Sequence, residues 1–511
     1  MPEELLESLK SKLKRSWEIA FISTLVIGFI THMYVFTNML PNHDGLINIY
    51  NTQLKFKSGR FFLGPFSGIS SFFDLPWVIG TLSLVYLGIM TVIITELFEL
   101  EKTISIVLTA GFVVTFPTVA ATFSYMFTAD GYMAGNLLAV LSILLTKKYR
   151  FGYLLGAIIF YISVGIYQAN LTVVLTFVAV WLIRELLFQS VTIKGFFIYM
   201  AKFVAMTGIG MALYTVTFKV YQHFFKGEVT DYQGIDQIGE RSGSLVELLM
   251  KIKNATYDFF FKGLVTDSPT NLFEILNLLL LLIIIFMTVA VIVTTKLYRK
   301  PPTLLIITLS FISIPVLSFI LYFVSPGVSY HMLMVMSLVS VYLIPVFIYD
   351  KLNGTAKLNI VSSWGMVFLS FLIIFNFMLI SNISYFNMTL KYEKSYATVN
   401  RILDRVEQTE GYEEATKLAV LGRITMKTEV GSEKIPENLP VMTGAMGEYI
   451  LAQPYHYEYM LANYFGKSLV RVDEEQLEQI RNSKDFEKME PWPSRDSVKI
   501  VGDTVIIKLS Q

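Results

Sequence analysis

Residues 17–40 read WEIAFISTLVIGFITHMYVFTNML, and residues 41–45 directly after them read PNHDG. Crossing a hydrocarbon layer as one helix takes about 20 apolar residues, so this run is long enough to span. Lys10, Lys12, Lys14 and Arg15 stand just before it. The positive-inside rule therefore puts its start in the cytoplasm and Asp44 on the far side. An ionised acid at such an exit is costly unless it meets water, a partner or a ligand.

The rest of the chain fits the same class. Of 511 residues, 54% are hydrophobic and 16% charged, which predicts a polytopic α-helical membrane protein with one modest polar domain. Further apolar runs lie at 77–97, 104–121, 132–145, 152–167, 171–187, 196–218, 272–295, 304–324, 332–348 and 361–380. That makes about eleven spans of roughly 20 residues, some short enough to need help from neighbouring loops. If the first runs outward, the inner loops are 99–102, 147–150, 189–194, 296–300 and 350–357, and each carries lysine or arginine. The outer side then holds the loop at Asp44, the Ala129-Asp130-Gly131 turn, the Tyr167-Gln168-Ala169-Asn170 turn, a long segment at 221–271 and the C-terminus. The expected location is the plasma membrane, with a cytoplasmic N-terminus and an extracytoplasmic C-terminal domain.

The first span is not a cleavable signal by its length, and no small-x-small site follows it. Before it, Leu5, Leu6, Leu9, Leu13 and Trp17 recur at helical spacing opposite the lysines; that pattern fits a helix lying on an anionic leaflet and fits a solvated helix equally. From 381 the composition turns polar, which divides the chain into a multi-span domain, 1–380, and a small α/β domain, 381–511. In the second, Tyr392, Tyr396, Val399, Leu403 and Val406 repeat at helical spacing up to Gly411, residues 417–424 read as a strand, and 498–509 as a hairpin turning at Gly502-Asp503. There is no internal repeat of the kind that builds transporters from inverted halves.

The net charge of +1 is divided among short loops, which excludes nucleic acid as a partner. There is no cysteine, and the five histidines are scattered, so neither a metal nor a disulfide is expected.

Candidate chemistry gathers at the outer turns. Asp44 and Asp130, each followed by glycine, are placed to orient and deprotonate a hydroxyl as general bases; the same Asp-Gly pair is also an ordinary turn. Lys55, Lys57 and Arg60 stand among aromatics in KFKSGRFF, residues 55–62. This mixture suits phosphate oxygens and an apolar tail, and suits a snorkelling interfacial loop as well. Tyr330 and His331 open another span on the outer face as candidate substrate contacts, against the plainer role of satisfied interfacial residues.

His43-Asp44-Gly45, Gly59-Arg60-Phe61, the stretch from Phe123-Ser124-Tyr125 to Asp130-Gly131-Tyr132, and Gly165-Ile166-Tyr167-Gln168-Ala169 occur in this order. In that succession, over roughly the first 350 residues, the chain resembles the glucosyltransferase II family, which decorates bacterial O-antigen and cell-wall polysaccharides. The resemblance implies a GT-C type membrane glycosyltransferase whose donor is a polyprenyl-phosphate sugar, since nucleotide sugars are absent outside the membrane. It implies Asp44 as the acid acting at the acceptor hydroxyl and Asp130 as a second acid. His43, Tyr167 and Gln168 then join Lys55, Lys57, Arg60, Tyr330 and His331 as substrate-binding candidates. It further implies direct displacement with inversion, no metal or other cofactor, and a cation among Lys55, Lys57 and Arg60 steadying the departing phosphate. The expected partners are the membrane lipid carrier and a cell-surface polysaccharide acceptor, with a carrier-charging glycosyltransferase and a flippase upstream. A hexose and an N-acetylhexosamine are both compatible as the sugar.

Two other readings compete. A polysaccharide polymerase or ligase relies on arginines and a histidine in a large outer loop, where 221–271 offers Arg241 and His223. A transporter or flippase of lipid-linked sugar places charge within its spans, and these spans are nearly free of it in their middles. In the C-terminal domain, Tyr455, His456, Tyr457 and Tyr459 form an aromatic group suited to carbohydrate stacking and equally to a core.

Overall fold

The computed structural model describes residues 2–225, 243–262, 275–325, 327–352, 357–424, 442–445 and 450–510. Among them, nine helices are long and apolar enough to cross a membrane. The first, Arg15–Thr37, ends at Asn38, and Asp44 follows in the loop as expected. Most of segment 221–271, Arg241 included, lies outside the described residues; within it Leu245–Thr256 is an amphipathic helix whose Ser244 and Glu247 form a capping box.

Eleven apolar runs do not become eleven long helices. The run 152–167 yields the 15-residue helix Gly152–Ile166. The run 332–348 is spent in two single 3-10 turns before the 13-residue helix Val339–Lys351. At 1.5 Å per residue that helix covers roughly 20 Å, short of the hydrocarbon thickness. It is nearly all buried inside the bundle, where irregular backbone finds protein partners and not lipid. The run 104–121 breaks at Phe116, because Pro117 opens a new helix, Pro117–Phe123.

The last long helix, Lys357–Glu407, has 51 residues and passes through position 380 without a break. No glycine or proline lies between 366 and 410 to stop it. Its far end packs Val399, Ile402, Leu403 and Val406 against one face of a four-stranded sheet. The sheet has the order β2-β1-β4-β3, with β1 Lys417–Leu421, β2 Val470–Arg471, β3 Val498–Val501 and β4 Thr504–Lys508. β1 runs parallel to β2 and β4, while β3 and β4 form the expected hairpin, turning at Gly502 with φ +60°. Leu418, Val420, Val505 and Ile507 face the long helix, and Ala419, Leu421 and Ile506 face Val472 and Met489 on the other side. Both faces are covered, as parallel pairing requires.

The basic loops meet at the end of the bundle opposite the sheet. Glu99 accepts from Lys147 at 2.9 Å and from the buried Arg184 at 2.8 Å, which also pairs with Glu185. Asp350 accepts the backbone N–H groups of Glu101 and Lys102, and Lys102 donates to the carbonyls of Tyr349 and Leu352. Burial alone would raise the Glu99 carboxyl, but Lys147 and Arg184 hold it down at about 2.

Candidate functional site

Asp44 is held by its backbone. The Asn42 side chain accepts the Gly45 N–H at 2.7 Å, and the Asp44 carbonyl accepts from Asn48, which in turn takes the Gln53 amide at 2.9 Å. Leu46 is fully buried, in the core of the C-terminal domain with Tyr457 and Leu461, and its carbonyl accepts from Asn463 at 3.0 Å. The carboxylate itself stays 43% exposed, with His43 Nε2 3.7 Å from Oδ2. Burial lowers the His43 pKa; Asp44 opposes this and Lys391 adds to it. The His43 ring lies 6.2 Å from Tyr125 and 6.3 Å from His456.

A second cluster forms where the quoted motifs fasten to one another. Lys55 and Arg60 face each other across a β-bridge, closed through Gly59 at φ +68°, where a Cβ would sit 2.3 Å from the Tyr214 hydroxyl. Arg60 donates to the Tyr132 hydroxyl at 2.9 Å and lies over the Tyr167 ring at 5.1 Å. Gln168 donates to the Ser58 carbonyl and the Tyr214 hydroxyl, and the Phe62 N–H donates to the Gly165 carbonyl at 3.0 Å. Arg60, Tyr167, Gln168 and Tyr214 line a cavity of about 90 Å³, with Thr215 and Ser325 as further polar residues and a wall that includes Val164, Leu171, Met211 and Val328. A guanidinium bordering an apolar cleft can fork onto phosphate oxygens beside apolar surface.

Lys55 belongs to the second cluster through its bridge to Arg60 and feels the Asp44 charge of the first. Burial lowers its pKa, the Asp44 charge opposes that, and the Arg60 charge adds to it. His331 is buried and held at about 4 by burial and then by the Arg60 charge, so its ring is neutral beside that cation. The Tyr330 hydroxyl accepts the Leu321 N–H at 3.1 Å, and its ring packs on Phe319 and Tyr322. Lys57 is exposed.

Asp130 is fully buried in the first turn of the helix Ala129–Lys148, where the macrodipole favours an acid. It accepts the Gly131 N–H at 2.8 Å and faces the Ser70 hydroxyl. Asp44 is thus the accessible carboxylate of the pair.

Two features escaped the reading of the sequence. Asp74, at the end of the same loop, is buried, and burial pushes its carboxyl up to about 7. Ser384, Asn387, Lys391 and Ser395 make a buried polar stripe on the long helix, bonding in turn to Met442 Sδ, the Ala445 and Gly444 carbonyls and the Ile450 N–H. Spacings of three and four residues were the available signal. His456, read from the sequence as part of an aromatic group open to stacking or to a core, is 1% exposed and faces His43.

No curated protein and no solved structure matches the chain. The family model described as glucosyl transferase GtrII matches residues 33–344, which hold Asp44, Arg60, Asp130 and Gln168, so the protein belongs to that family and is a membrane glycosyltransferase.

Proposed function

We propose that the enzyme moves a hexose or N-acetylhexosamine from a polyprenyl-phosphate carrier to a cell-surface polysaccharide, by inverting displacement with Asp44 as general base. The observation that carries this reading is the β-bridge that sets Lys55 opposite Arg60, two cations in the same loop as the accessible Asp44 carboxylate, whose charge favours the protonated Lys55. Asp44 takes the proton of the acceptor hydroxyl as its oxygen attacks the anomeric carbon. The bond from that carbon to the carrier phosphate breaks, and the phosphate leaves with the electron pair, steadied by Arg60 and Lys55. The proton then passes from Asp44 to water.

In this reading the apolar cleft beside Arg60 takes the first part of the isoprenoid, and Tyr167 and Gln168 hold Arg60's loop in place. Buried Asp130 orders that loop through Ser70, and exposed Lys57 stays peripheral. The sheet end faces outward and the lysine-rich end inward, by the positive-inside rule. The donor is made by a carrier-charging glycosyltransferase and delivered by a flippase. Residues 1–380 form the transferase domain and 381–511 the extracytoplasmic one, with the 51-residue helix as their shared strut.

The test is Asp44→Asn, assayed in membranes for sugar transfer from carrier lipid to polysaccharide. Loss of at least 100-fold is expected, the lower range of a general-base contribution being about 10². Transfer at the unmodified rate, with normal expression, removes Asp44 from this role.

A further inference from the structure

We infer that the C-terminal part of the chain, beyond the family-matched residues 33–344, supplies the acceptor subsite: Tyr455 and His456 bind one pyranose ring of the acceptor polymer beside Asp44. This rests on the transferase reading above, and names the residues that seat its second substrate.

The geometry begins with the tautomer of His456. Its Nδ1 accepts the Gln453 N–H at 3.0 Å, so the proton of the neutral imidazole is on Nε2. Burial, with His43 adding to it, holds the ring's pKa at about 4, which keeps it neutral at pH 7. Nε2 is buried and has no hydrogen-bond partner among the described residues. A buried N–H donor without a partner is costly in a folded protein, and a ligand oxygen relieves that cost. The His456 ring stands 6.3 Å from His43, the residue before Asp44.

Tyr455 supplies the second half. Its ring packs edge-on to His456 at 4.3 Å and is half-buried; burial raises the phenol's pKa, the Asp44 charge adds to this, and Arg471, 5.8 Å over the ring, opposes it. A pyranose has an apolar C–H face and a rim of hydroxyls, so it matches an aromatic face, a neutral N–H donor and a carboxylate acceptor together. The helix carrying both residues, Pro454–Phe465, is fixed against the Asp44 loop by Asn463 on Leu46, so the subsite and the base move as one body.

The experiment uses the full chain in membranes, with polyprenyl-phosphate glucose as donor and polysaccharide extracted from a strain lacking the protein as acceptor. Two reciprocal substitutions separate binding from structure. In His456→Asn the side-chain oxygen takes the place of Nδ1 and keeps the Gln453 bond, but the Nε2 donor is gone. In His456→Gln the amide nitrogen takes the place of Nε2 and the Gln453 bond is lost. The expected result is an acceptor KM raised about 3- to 10-fold in H456N, the worth of one neutral hydrogen bond, and near the unmodified value in H456Q. The donor KM stays constant in both. Tyr455→Leu, at a half-exposed site that tolerates change, raises the acceptor KM as well. Unchanged acceptor KM in H456N and Y455L, or equal loss in H456N and H456Q, overturns the subsite. With D44N inactive in the same assay, such a result leaves the transferase reading standing; full transfer by D44N removes that reading and the subsite with it.

Discussion

The Asn463 side chain donates to the Leu46 carbonyl across 3.0 Å, joining residues 417 positions apart in the chain. Leu46 is at the same time fully buried in the C-terminal hydrophobic core. The loop that presents Asp44 is therefore anchored by the C-terminal domain as well as by its own turns. Leu46→Ala removes a buried side chain and is expected to cost about 2–5 kcal/mol at this junction, against about 1 kcal/mol for Asn463→Ala. Limited proteolysis of the purified protein reads the difference, with faster cleavage near 38–60 in L46A than in N463A. Equal, unmodified cleavage in both would mean that the loop holds itself.

Gly59 is the hinge of the Lys55–Arg60 bridge. Alanine there meets two penalties, a left-handed backbone that costs about 1–2 kcal/mol and a Cβ 2.3 Å from the Tyr214 hydroxyl. Gly59→Ala is expected to lower transfer strongly. Tyr214→Phe removes the clashing oxygen, so the double variant G59A/Y214F recovers part of the loss, leaving the backbone term. Additive losses in the two single variants and the double would show that the hydroxyl contact is not what excludes a side chain at 59.

Much of this architecture was legible in the residues, because burial in a membrane or a sheet imposes a period. The first span, the lysine-bearing loops and the Gly502-Asp503 hairpin could all be read from apolar runs and alternation. Length was harder. The run 332–348 has the composition of a span, yet its first residues form 3-10 turns inside the bundle, since hydropathy reports burial and not conformation. The polar shift at 381 reads as a boundary, whereas the helix continues because nothing in its backbone stops it. At the site, Arg60, Tyr132, Tyr167 and Gln168 were recognisable as a succession of motifs, and the fold brings them into contact. Lys391 sat in a helical spacing of polar residues and His456 in an aromatic group, but neither pattern named their partners, which are set by tertiary packing over large sequence separations.

Arg60 combines a hydrogen bond to Tyr132 with a face-on contact to Tyr167, a geometry an ammonium cannot copy. For a phosphate ligand at this guanidinium, Arg60→Lys is expected to raise the donor KM about 10- to 100-fold, the range of a charge-assisted bond of about 1.5–3 kcal/mol. The acceptor KM should move little. Titration of donor at saturating acceptor checks it, and an acceptor-specific defect would place Arg60 on the other substrate.

Asp74 gives the protein a pH-dependent stability whose sign can be worked out. Burial raises its carboxyl from 3.8 to about 7, so between these values the folded state binds a proton that the unfolded state has released. Stability is therefore highest at the acid end of this window and falls as pH rises toward 7. The full span is on the order of 4 kcal/mol, at about 1.4 kcal/mol per unit. Asp74→Asn keeps the shape and removes the titration, so above pH 7 the variant should unfold at a higher temperature than the unmodified protein. Thermal unfolding in detergent from pH 5 to 8 measures this: the unmodified protein should lose stability across the range by more than D74N does. Parallel curves for the two would show that the Asp74 carboxyl meets water or a cation in solution, and that its burial against the Tyr464 side of the C-terminal domain opens there.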